Sequence, residues 1–292
     1  MTAPTRFLLA EGARRLQAAG RDHARHEAEW LLSRLVGVTP LELHLQDTPI
    51  PQDTAEQFLS HLEARASGVP LQYLLGEAEF FGERFVVRPG VFIPRPETEA
   101  VVEAALQDLR EIARRLGRPL RLLDLGTGSG CIAVTLARAL PTCVVVGVEV
   151  SWDAVCVARH NVLRHGLLSR VRLVQGCWGE PIGGGFDGVL SNPPYVPAAR
   201  VDHLPFDVRQ EPRVSLDGGA DGMRALLRLM TDAPRLVAPG GVLALECGEE
   251  QVKALIRAAV SASWVETARP IDDLAGRPRG VVIRRASDHL GS

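Results

Sequence analysis

The first 75 residues place apolar side chains at the three- and four-residue spacing of amphipathic helices. One predicted helix has an apolar face made of Ala28, Leu31, Leu32, Leu35 and Val36. Thr39, Pro40 and Glu42 together form a capping-box start for the next helix. Pro51 opens a further one that runs through Phe58, Leu59 and Leu62. The pattern predicts a small helical bundle over residues 1–75.

The helical pattern ends at Gly76, where the spacing of apolar residues changes. Residues Glu79–Arg88 read as two short strands around Gly82. We therefore expect a β-hairpin connector over residues 76–95.

From Pro96 onward, apolar strands alternate with helices. A long helix is expected over Glu97–Leu116, and further helices are expected to start near Cys131, Ser151, Asp221 and Glu249. The strand candidates are Leu120–Asp124, Cys143–Glu149, Val171–Gln175, Phe186–Ser191 and Val242–Glu246. Alternation of this kind predicts an α/β domain over residues 96–292, with a doubly wound, mostly parallel sheet that binds ligands at the carboxyl ends of its strands. The tail, Trp264–Arg285, predicts two more strands at an antiparallel edge.

Composition and charge narrow the possible partners. Hydrophobic residues make up 46% of the chain and charged residues 23%, which is typical of a globular protein. The net charge is −2, and the first 75 residues carry seven Arg against nine Asp and Glu, so the pattern disfavours a nucleic-acid clamp. No run of about 18 apolar residues could span a bilayer, so we expect a cytoplasmic protein without membrane contact. The five cysteines form no C-x-x-C pair, and no metal site is expected.

A glycine-rich turn follows the first strand of the α/β domain. It comprises Gly126, Thr127, Gly128, Ser129 and Gly130, and Asp124 precedes it. Gly126 and Gly128 allow the tight turn and the close approach of backbone to a ligand, and Gly130 is expected to let the helix pack close to the strand. The spacing is G-x-G-x-G, unlike the G-x-G-x-x-G of dinucleotide-binding turns. Together with the preceding acidic residue, this spacing favours S-adenosylmethionine over NAD.

Two further residues, which lie outside this turn, are candidate cofactor contacts. Glu149 ends the second strand, where a carboxylate can accept both ribose hydroxyls; the alternative is an ordinary charge at a strand end. Trp178 could lay its indole against the adenine, or it could be a core aromatic.

A second turn, Asn192–Tyr195, follows the strand Phe186–Ser191 and has the sequence Asn-Pro-Pro-Tyr. Its two prolines fix φ and remove N–H donors. The side-chain oxygen of Asn192 and the carbonyl of Pro193 can accept both hydrogens of an –NH₂ group, while Tyr195 offers a flat face. Two such acceptors would orient a planar nitrogen and stabilise the positive charge that develops during methyl transfer. The turn predicts a methyltransferase that acts on a planar nitrogen and needs no general base.

Together these motifs resemble the release factor glutamine methyltransferase family, which methylates the glutamine of the Gly-Gly-Gln tip of peptide-chain release factors. The matching segments are Pro70–Gly76, Phe80–Gly82, Phe92–Glu99, Asp124–Gly130, Ser191–Tyr195, Glu211–Arg213, Asp217–Gly219 and Asp221–Gly222. The resemblance implies a Rossmann-like class I methyltransferase domain, a hairpin connector and a five-helix N-terminal domain that docks the release factor.

The resemblance also implies a set of site residues and partners. Cofactor contacts would fall on Gly126, Thr127, Gly128, Ser129, Gly130, Glu149, Trp178 and Asn192, and substrate contacts on Phe92, Asn192, Pro193, Pro194 and Tyr195. Two departures stand out, because many members have Asp in place of Glu149 and the segment Gly176–Trp178 lacks an expected acidic residue. We expect a monomer that uses S-adenosylmethionine, releases S-adenosylhomocysteine and acts on a release factor.

Two other functions remain open at this stage. An adenine N6 methyltransferase of DNA or RNA would use the same Asn-Pro-Pro-Tyr chemistry, although the acidic balance of the chain disfavours a polyanion. An inactive regulatory protein that binds S-adenosylmethionine would keep the fold without turnover, and the intact turn disfavours it.

Overall fold

The structure is a computed structural model, and it describes residues 2–46 and 49–287. The chain forms two compact units. The first runs to Glu77 and also includes Pro205–Gln210, and the second comprises Ala78–Leu204 and the residues from Glu211 onward. Within the described ranges, no helix is both long and apolar enough to cross a membrane.

The first unit is the expected helical bundle, and its described part contains five helices. They are α1 (Thr5–Ala18), α2 (Ala24–Val36), α3 (Pro40–Gln46), α4 (Gln52–Ala66) and α5 (Leu71–Leu75). The unit also contains a short antiparallel pair that the sequence pattern did not predict, β1 (Thr2–Ala3) with β2 (Ile50–Pro51). The capping box is confirmed, because the Thr39 N–H donates to Glu42 at 2.7 Å and the Glu42 N–H donates to the Thr39 hydroxyl at 3.3 Å.

Pro205–Gln210 joins this unit through a buried ion pair. The Arg65 guanidinium donates to the Glu27 carboxylate at 2.7 Å and to Asp207 at 3.4 Å. Gly68 lies so close to the Phe206 ring that an added Cβ would overlap it. The segment is therefore part of the bundle's packing although it comes from a distant part of the sequence.

The hairpin consists of β3 (Glu77–Phe80) and β4 (Glu83–Val86), paired around Gly82 as predicted. The two turn residues, Phe81 and Gly82, have φ angles of 52° and 69°. Two successive left-handed residues make the tight connection whose twist suits a two-residue hairpin.

The second unit contains a seven-stranded sheet flanked by helices. Its strands are β5 (Arg121–Leu125), β6 (Val144–Glu149), β7 (Val171–Gln175), β8 (Phe186–Ser191), β9 (Val237–Glu246), β10 (Val265–Asp272) and β11 (Pro278–Arg285), in the order β10-β11-β9-β8-β5-β6-β7. The described helices are α6 (Pro96–Leu116), α7 (Cys131–Ala139), α8 (Trp152–Arg164), α9 (Ala198–Val201), α10 (Arg224–Leu236) and α11 (Glu249–Val260). Strands β5 to β9 pair in parallel and the last two are antiparallel, which confirms the predicted sheet and its edge.

Two boundaries in the sheet and its helices differ from the prediction by more than one residue. Strand β9 begins at Val237, before the expected Val242, because a register shift in its pairing with β8 lets the strand continue past two glycines. Helix α10 begins at Arg224, after the expected Asp221, because the Asp221 carboxylate accepts the Met223 N–H at 3.0 Å and holds a turn there.

The sheet is covered on both faces, and this arrangement creates a crevice. Leu122 packs into the cluster beneath α6 and α7, whereas the next residue, Leu123, packs into the cluster beneath α10 and α11. Strand β5 lies between β6 and β8, so the chain proceeds to one side after β5 and returns to the other. Ligands of such sheets bind at the carboxyl ends of the strands where the order reverses.

Candidate active site

The glycine-rich turn lies at this reversal point, between β5 and α7. The N–H groups of Gly126 and Thr127 donate to the carbonyl of Val148 in β6, at 2.9 and 3.0 Å. Gly126, Gly128 and Gly130 have φ angles of 72°, 56° and 83°, in the left-handed region that favours glycine. The turn is thus fixed to the neighbouring strand by its backbone.

Gly130 has a packing role that differs from the expected one. We expected it to bring the helix close to a strand. A Cβ at this position would instead stand 3.2 Å from the Cβ of Ala158 in α8. The missing side chain therefore allows α7 and α8 to approach each other.

Asp124, near the end of β5, hydrogen-bonds to the glycine-rich turn and to α7. Its buried carboxylate accepts the Thr127 hydroxyl at 2.5 Å and the Ala133 N–H at 3.1 Å. Burial raises the pKa of Asp124 to about 7, although both hydrogen bonds oppose that shift. Asp124 ties the start of the turn to the first residues of α7.

Glu149 ends β6 and faces the same cavity as the turn. One carboxylate oxygen accepts the Gly128 N–H at 2.9 Å, and the other accepts the Ser151 N–H at 2.9 Å. Each oxygen has a second lone pair, so the carboxylate can still accept hydrogen bonds from a ligand.

Trp178 lines this cavity opposite Gly126. It is one of two described non-glycine residues with a left-handed backbone, at a φ of 48°. A Cβ on Gly126 would come within 3.8 Å of the indole, so the glycine leaves open the space between turn and ring. Such a gap between a flat aromatic face and a glycine backbone suits a planar group.

The Asn192–Tyr195 turn follows β8 at the other end of the cavity. Asn192 and Pro194 are lining residues, while Pro193 is buried. The side-chain nitrogen of Asn192 donates to the Thr98 hydroxyl at 3.0 Å. The Tyr195 hydroxyl donates to Glu246 at 3.1 Å, and its backbone carbonyl accepts from Gln251 at 2.9 Å. Tyr195 is thus hydrogen-bonded to residues of β9 and α11. Neither Tyr195 nor Pro193 is among the residues that line the cavity.

Glu246, at the end of β9, is buried beside this turn. It accepts the Thr98 hydroxyl at 2.6 Å in addition to that of Tyr195. Burial raises the pKa of Glu246 to about 7, and the two hydroxyl hydrogen bonds counteract this rise. Burial likewise raises the pKa of the Tyr195 phenol, so Tyr195 stays protonated and donates to Glu246.

The segment before α6 supplies the remaining wall. Phe92 and Pro94 line the cavity. The buried Glu211 carboxylate accepts the Ile93 N–H at 2.9 Å and forms an ion pair with Arg95. The Arg95 guanidinium lies 4.9 Å from the centre of the Phe92 ring. Glu211 therefore holds this segment against the cavity.

The structure brings most of the expected residues into one cavity, among them Gly126, Thr127, Gly128, Ser129, Glu149, Trp178 and Asn192. Several other residues surround the cavity whose roles were not predicted, namely Thr98, Ile132, Cys177, Glu211, Val214, Ser215 and Glu246. Thr98 and Glu211 lie within the segments that carry the family resemblance, which was the available signal. Glu246 was visible only as the end of a strand.

The α/β unit is a Rossmann-like class I methyltransferase domain, which uses S-adenosylmethionine. Its seven-stranded sheet has a glycine-rich turn and a strand-end carboxylate at the point where the strand order reverses. The family model "Methyltransferase small domain" matches residues 84–204, and "PrmC N-terminal domain" matches residues 8–76. A solved methyltransferase from Pyrococcus furiosus shares the fold, with a TM-score of 0.51 and 22% identity over 71% of this chain and 91% of that one.

Curated relatives identify the family. The release factor glutamine methyltransferase of Moorella thermoacetica is 41% identical over 97% of this chain and 99% of its own length. That of Geobacter sulfurreducens is 43% identical over 86% of this chain and 84% of its own. The chain belongs to the release factor glutamine methyltransferase family.

Proposed function

We propose that this protein transfers a methyl group from S-adenosylmethionine to the side-chain amide nitrogen of the glutamine in the Gly-Gly-Gln motif of a peptide-chain release factor. The observation that carries the proposal is full-length similarity to relatives with that name, at 41% identity over 97% of the chain. The Asn192 amide, at the edge of the cavity that also contains the glycine-rich turn, supplies the fitting chemistry.

The cavity residues fit this cofactor by their chemistry. Glu149 is a carboxylate with free lone pairs for the ribose hydroxyls, and Trp178 offers a flat face for the adenine. Gly126, Thr127, Gly128 and Ser129 present backbone without bulk. Gly130 supports the turn through its packing on α8. When bound, S-adenosylmethionine supplies an electrophilic methyl group on a sulfonium centre.

The protein's own residues hold and orient the acceptor nitrogen. An amide nitrogen is a poor nucleophile because its lone pair is delocalised, so orientation must contribute much of the rate enhancement. The Asn192 side-chain oxygen and the Pro193 carbonyl accept its two hydrogens, and Phe92 and Pro94 form the adjoining apolar wall. These acceptors would stabilise the positive charge that develops on the nitrogen during methyl transfer. The methylated nitrogen then loses a proton to water.

The parts of the chain outside the cavity have roles of their own. Residues 1–75 form the helical domain that docks the release factor, and residues 76–95 form the connector. Residues 96–292 form the catalytic domain, except for Pro205–Gln210, which belong to the helical unit. Tyr195 acts through its contact with Glu246, in place of the stacking role expected from the sequence. The enzyme works as a monomer in the cytoplasm, without a metal and without a nucleic-acid substrate.

A four-substrate comparison tests this function. Purified protein and labelled S-adenosylmethionine are incubated with intact release factor, with a Gln→Ala variant of its tip, with a tip peptide or with an adenine-containing oligonucleotide. We expect label on the intact factor alone at a high rate, with mass spectrometry placing it on the tip glutamine. Label on the oligonucleotide would support the adenine N6 alternative, and no turnover on any substrate would support the inactive alternative. Full activity on the peptide would contradict only the docking role.

A further inference from the structure

A chain of three side chains links the catalytic turn to the end of strand β9. The Asn192 side-chain nitrogen lies 3.0 Å from the Thr98 hydroxyl oxygen, which lies 2.6 Å from a Glu246 carboxylate oxygen. Thr98 comes from the first turn of α6, so the three residues meet only in the folded protein. The exposed fraction is 1% for Thr98 and 2% for Glu246.

The chemistry of these three side chains decides which group donates and which accepts in each hydrogen bond. An ionised carboxylate only accepts hydrogen bonds, so the single proton of the Thr98 hydroxyl goes to Glu246. The Thr98 oxygen can then only accept from Asn192, which requires the –NH₂ end of the amide to face it. The side-chain oxygen of Asn192 consequently occupies the opposite edge of the amide group.

Burial makes the opposite orientation costly. With the Asn192 amide turned over, its oxygen would face the Thr98 oxygen with no proton between them. Leaving a buried polar group without its partner costs about 1–3 kcal/mol. Water has little access to the lost contact, because Thr98 and Glu246 are almost fully buried.

We propose that Thr98 and Glu246 are positioning residues that fix the Asn192 amide with its oxygen toward the acceptor group, so that the site selects a donor –NH₂ over a carboxylate. The inference rests on the proposed function of Asn192. It adds the means by which the site distinguishes glutamine from glutamate, two side chains of nearly equal shape that differ in whether they donate or accept.

Substitutions at Thr98 and Glu246 distinguish the effect of amide orientation at Asn192 from the effect of side-chain packing. Thr98→Val keeps the shape and removes the hydroxyl, whereas Thr98→Ser keeps the hydroxyl. Glu246→Leu removes the acceptor for the Thr98 proton. Each variant is compared with the wild type by thermal melting and by its dissociation constant for S-adenosylmethionine, and only folded variants that still bind the cofactor are used further.

The first measurement is made at pH 8, above the Glu246 pKa of about 7, so that the carboxylate is ionised. Intact release factor and its Gln→Glu tip variant are titrated against each protein. We expect the wild type and Thr98→Ser to bind the glutamine form at least about tenfold more tightly. We expect Thr98→Val and Glu246→Leu to reduce that ratio to about threefold or less, with turnover lowered at least about tenfold. An unchanged ratio in Thr98→Val would overturn the inference.

A second measurement needs no substrate. In ¹⁵N-labelled protein, the side-chain amide of Asn192, assigned by its loss in Asn192→Asp, should show one proton protected from exchange in the wild type and in Thr98→Ser. Thr98→Val should lose this protection. Equal protection in Thr98→Val would overturn the inference even in a protein that methylates another substrate, whereas loss of protection without methylation of the release factor would contradict only the proposed function.

Discussion

The two ends of the cavity are held in shape by different kinds of contact. At the cofactor end, the hydrogen bonds come mainly from backbone N–H groups. Those of Gly126 and Thr127 donate to the Val148 carbonyl, and that of Gly128 donates to Glu149. At the substrate end, the hydrogen bonds join side chains, as between Asn192 and Thr98.

The difference follows from what each end must recognise. Backbone bonds form whatever the neighbouring side chains are, so the glycine-rich end tolerates change except where a Cβ or a charge would intrude. A series of hydrogen-bonded side chains such as Asn192–Thr98–Glu246 specifies the direction of each hydrogen bond. It is sensitive to the loss of any one of the three side chains. We therefore expect substitutions at the substrate end to affect turnover and those at the cofactor end to affect binding or folding.

The largest effect is expected for Asn192→Ala. This change removes the acceptor for the substrate nitrogen, so turnover on release factor at saturating cofactor should fall at least about 100-fold. The fold should survive, because Asn192 is only partly buried and its Thr98 partner keeps its bond to Glu246. Single-turnover kinetics and a melting curve measure both. Turnover near the wild-type level would remove Asn192 from the catalytic role.

Next in size is the pH dependence of stability at Glu246. Its pKa of about 7 lies above the ordinary value of 4.5, so the folded state binds more protons between these values and this carboxyl destabilises the fold as the pH rises. The neighbouring Glu97 adds to the upward shift and Arg279 opposes it. Glu246→Gln cannot titrate. Its unfolding free energy relative to wild type should therefore increase by up to about 3 kcal/mol from pH 4.5 to pH 8.

Urea denaturation at several pH values measures this difference, and the comparison with the variant cancels the titration of other groups. A difference that stays constant with pH would mean that Glu246 does not carry the raised pKa.

Glu149→Ala tests the cofactor end. Loss of the carboxylate should weaken S-adenosylmethionine binding by about 1–3 kcal/mol, since charge-assisted hydrogen bonds to the ribose are lost. Glu149→Gln retains one acceptor oxygen and should lose less. Calorimetry on both proteins provides the dissociation constants, and equal affinity in Glu149→Ala and wild type would place the ribose contact elsewhere.

The smallest effect separates backbone strain from contact at the glycine-rich turn. Gly130 and Gly117 both have left-handed φ angles, but a Cβ on Gly130 meets Ala158 at 3.2 Å whereas one on Gly117 meets nothing within 4 Å. Gly117→Ala should lose about 1 kcal/mol from the strained φ alone. Gly130→Ala should lose about 1 kcal/mol more, because α8 must shift. Equal losses in chemical denaturation would show that the contact with Ala158 does not restrict the turn.

Contiguous sequence patterns determined the order of the elements, the parallel sheet with its antiparallel edge, the glycine-rich turn and the Asn192–Tyr195 turn. Each depends on local rules: apolar periodicity defines strands and helices, and glycine or proline restricts φ within a few residues. Local rules did not place Phe92 near the site. Only the resemblance did, since no local pattern indicates which strand ends a distant loop will reach.

Tertiary structure alone decided the orientation of the groups at the site. It turned Tyr195 toward Glu246 and set Thr98 between Asn192 and Glu246, across 94 and 148 residues of sequence. It also placed Glu211 beneath the segment that carries Phe92. Hydrogen-bond direction depends on which donors and acceptors meet in a space without water, and only the packing of α6 against the ends of β8 and β9 brings these groups together.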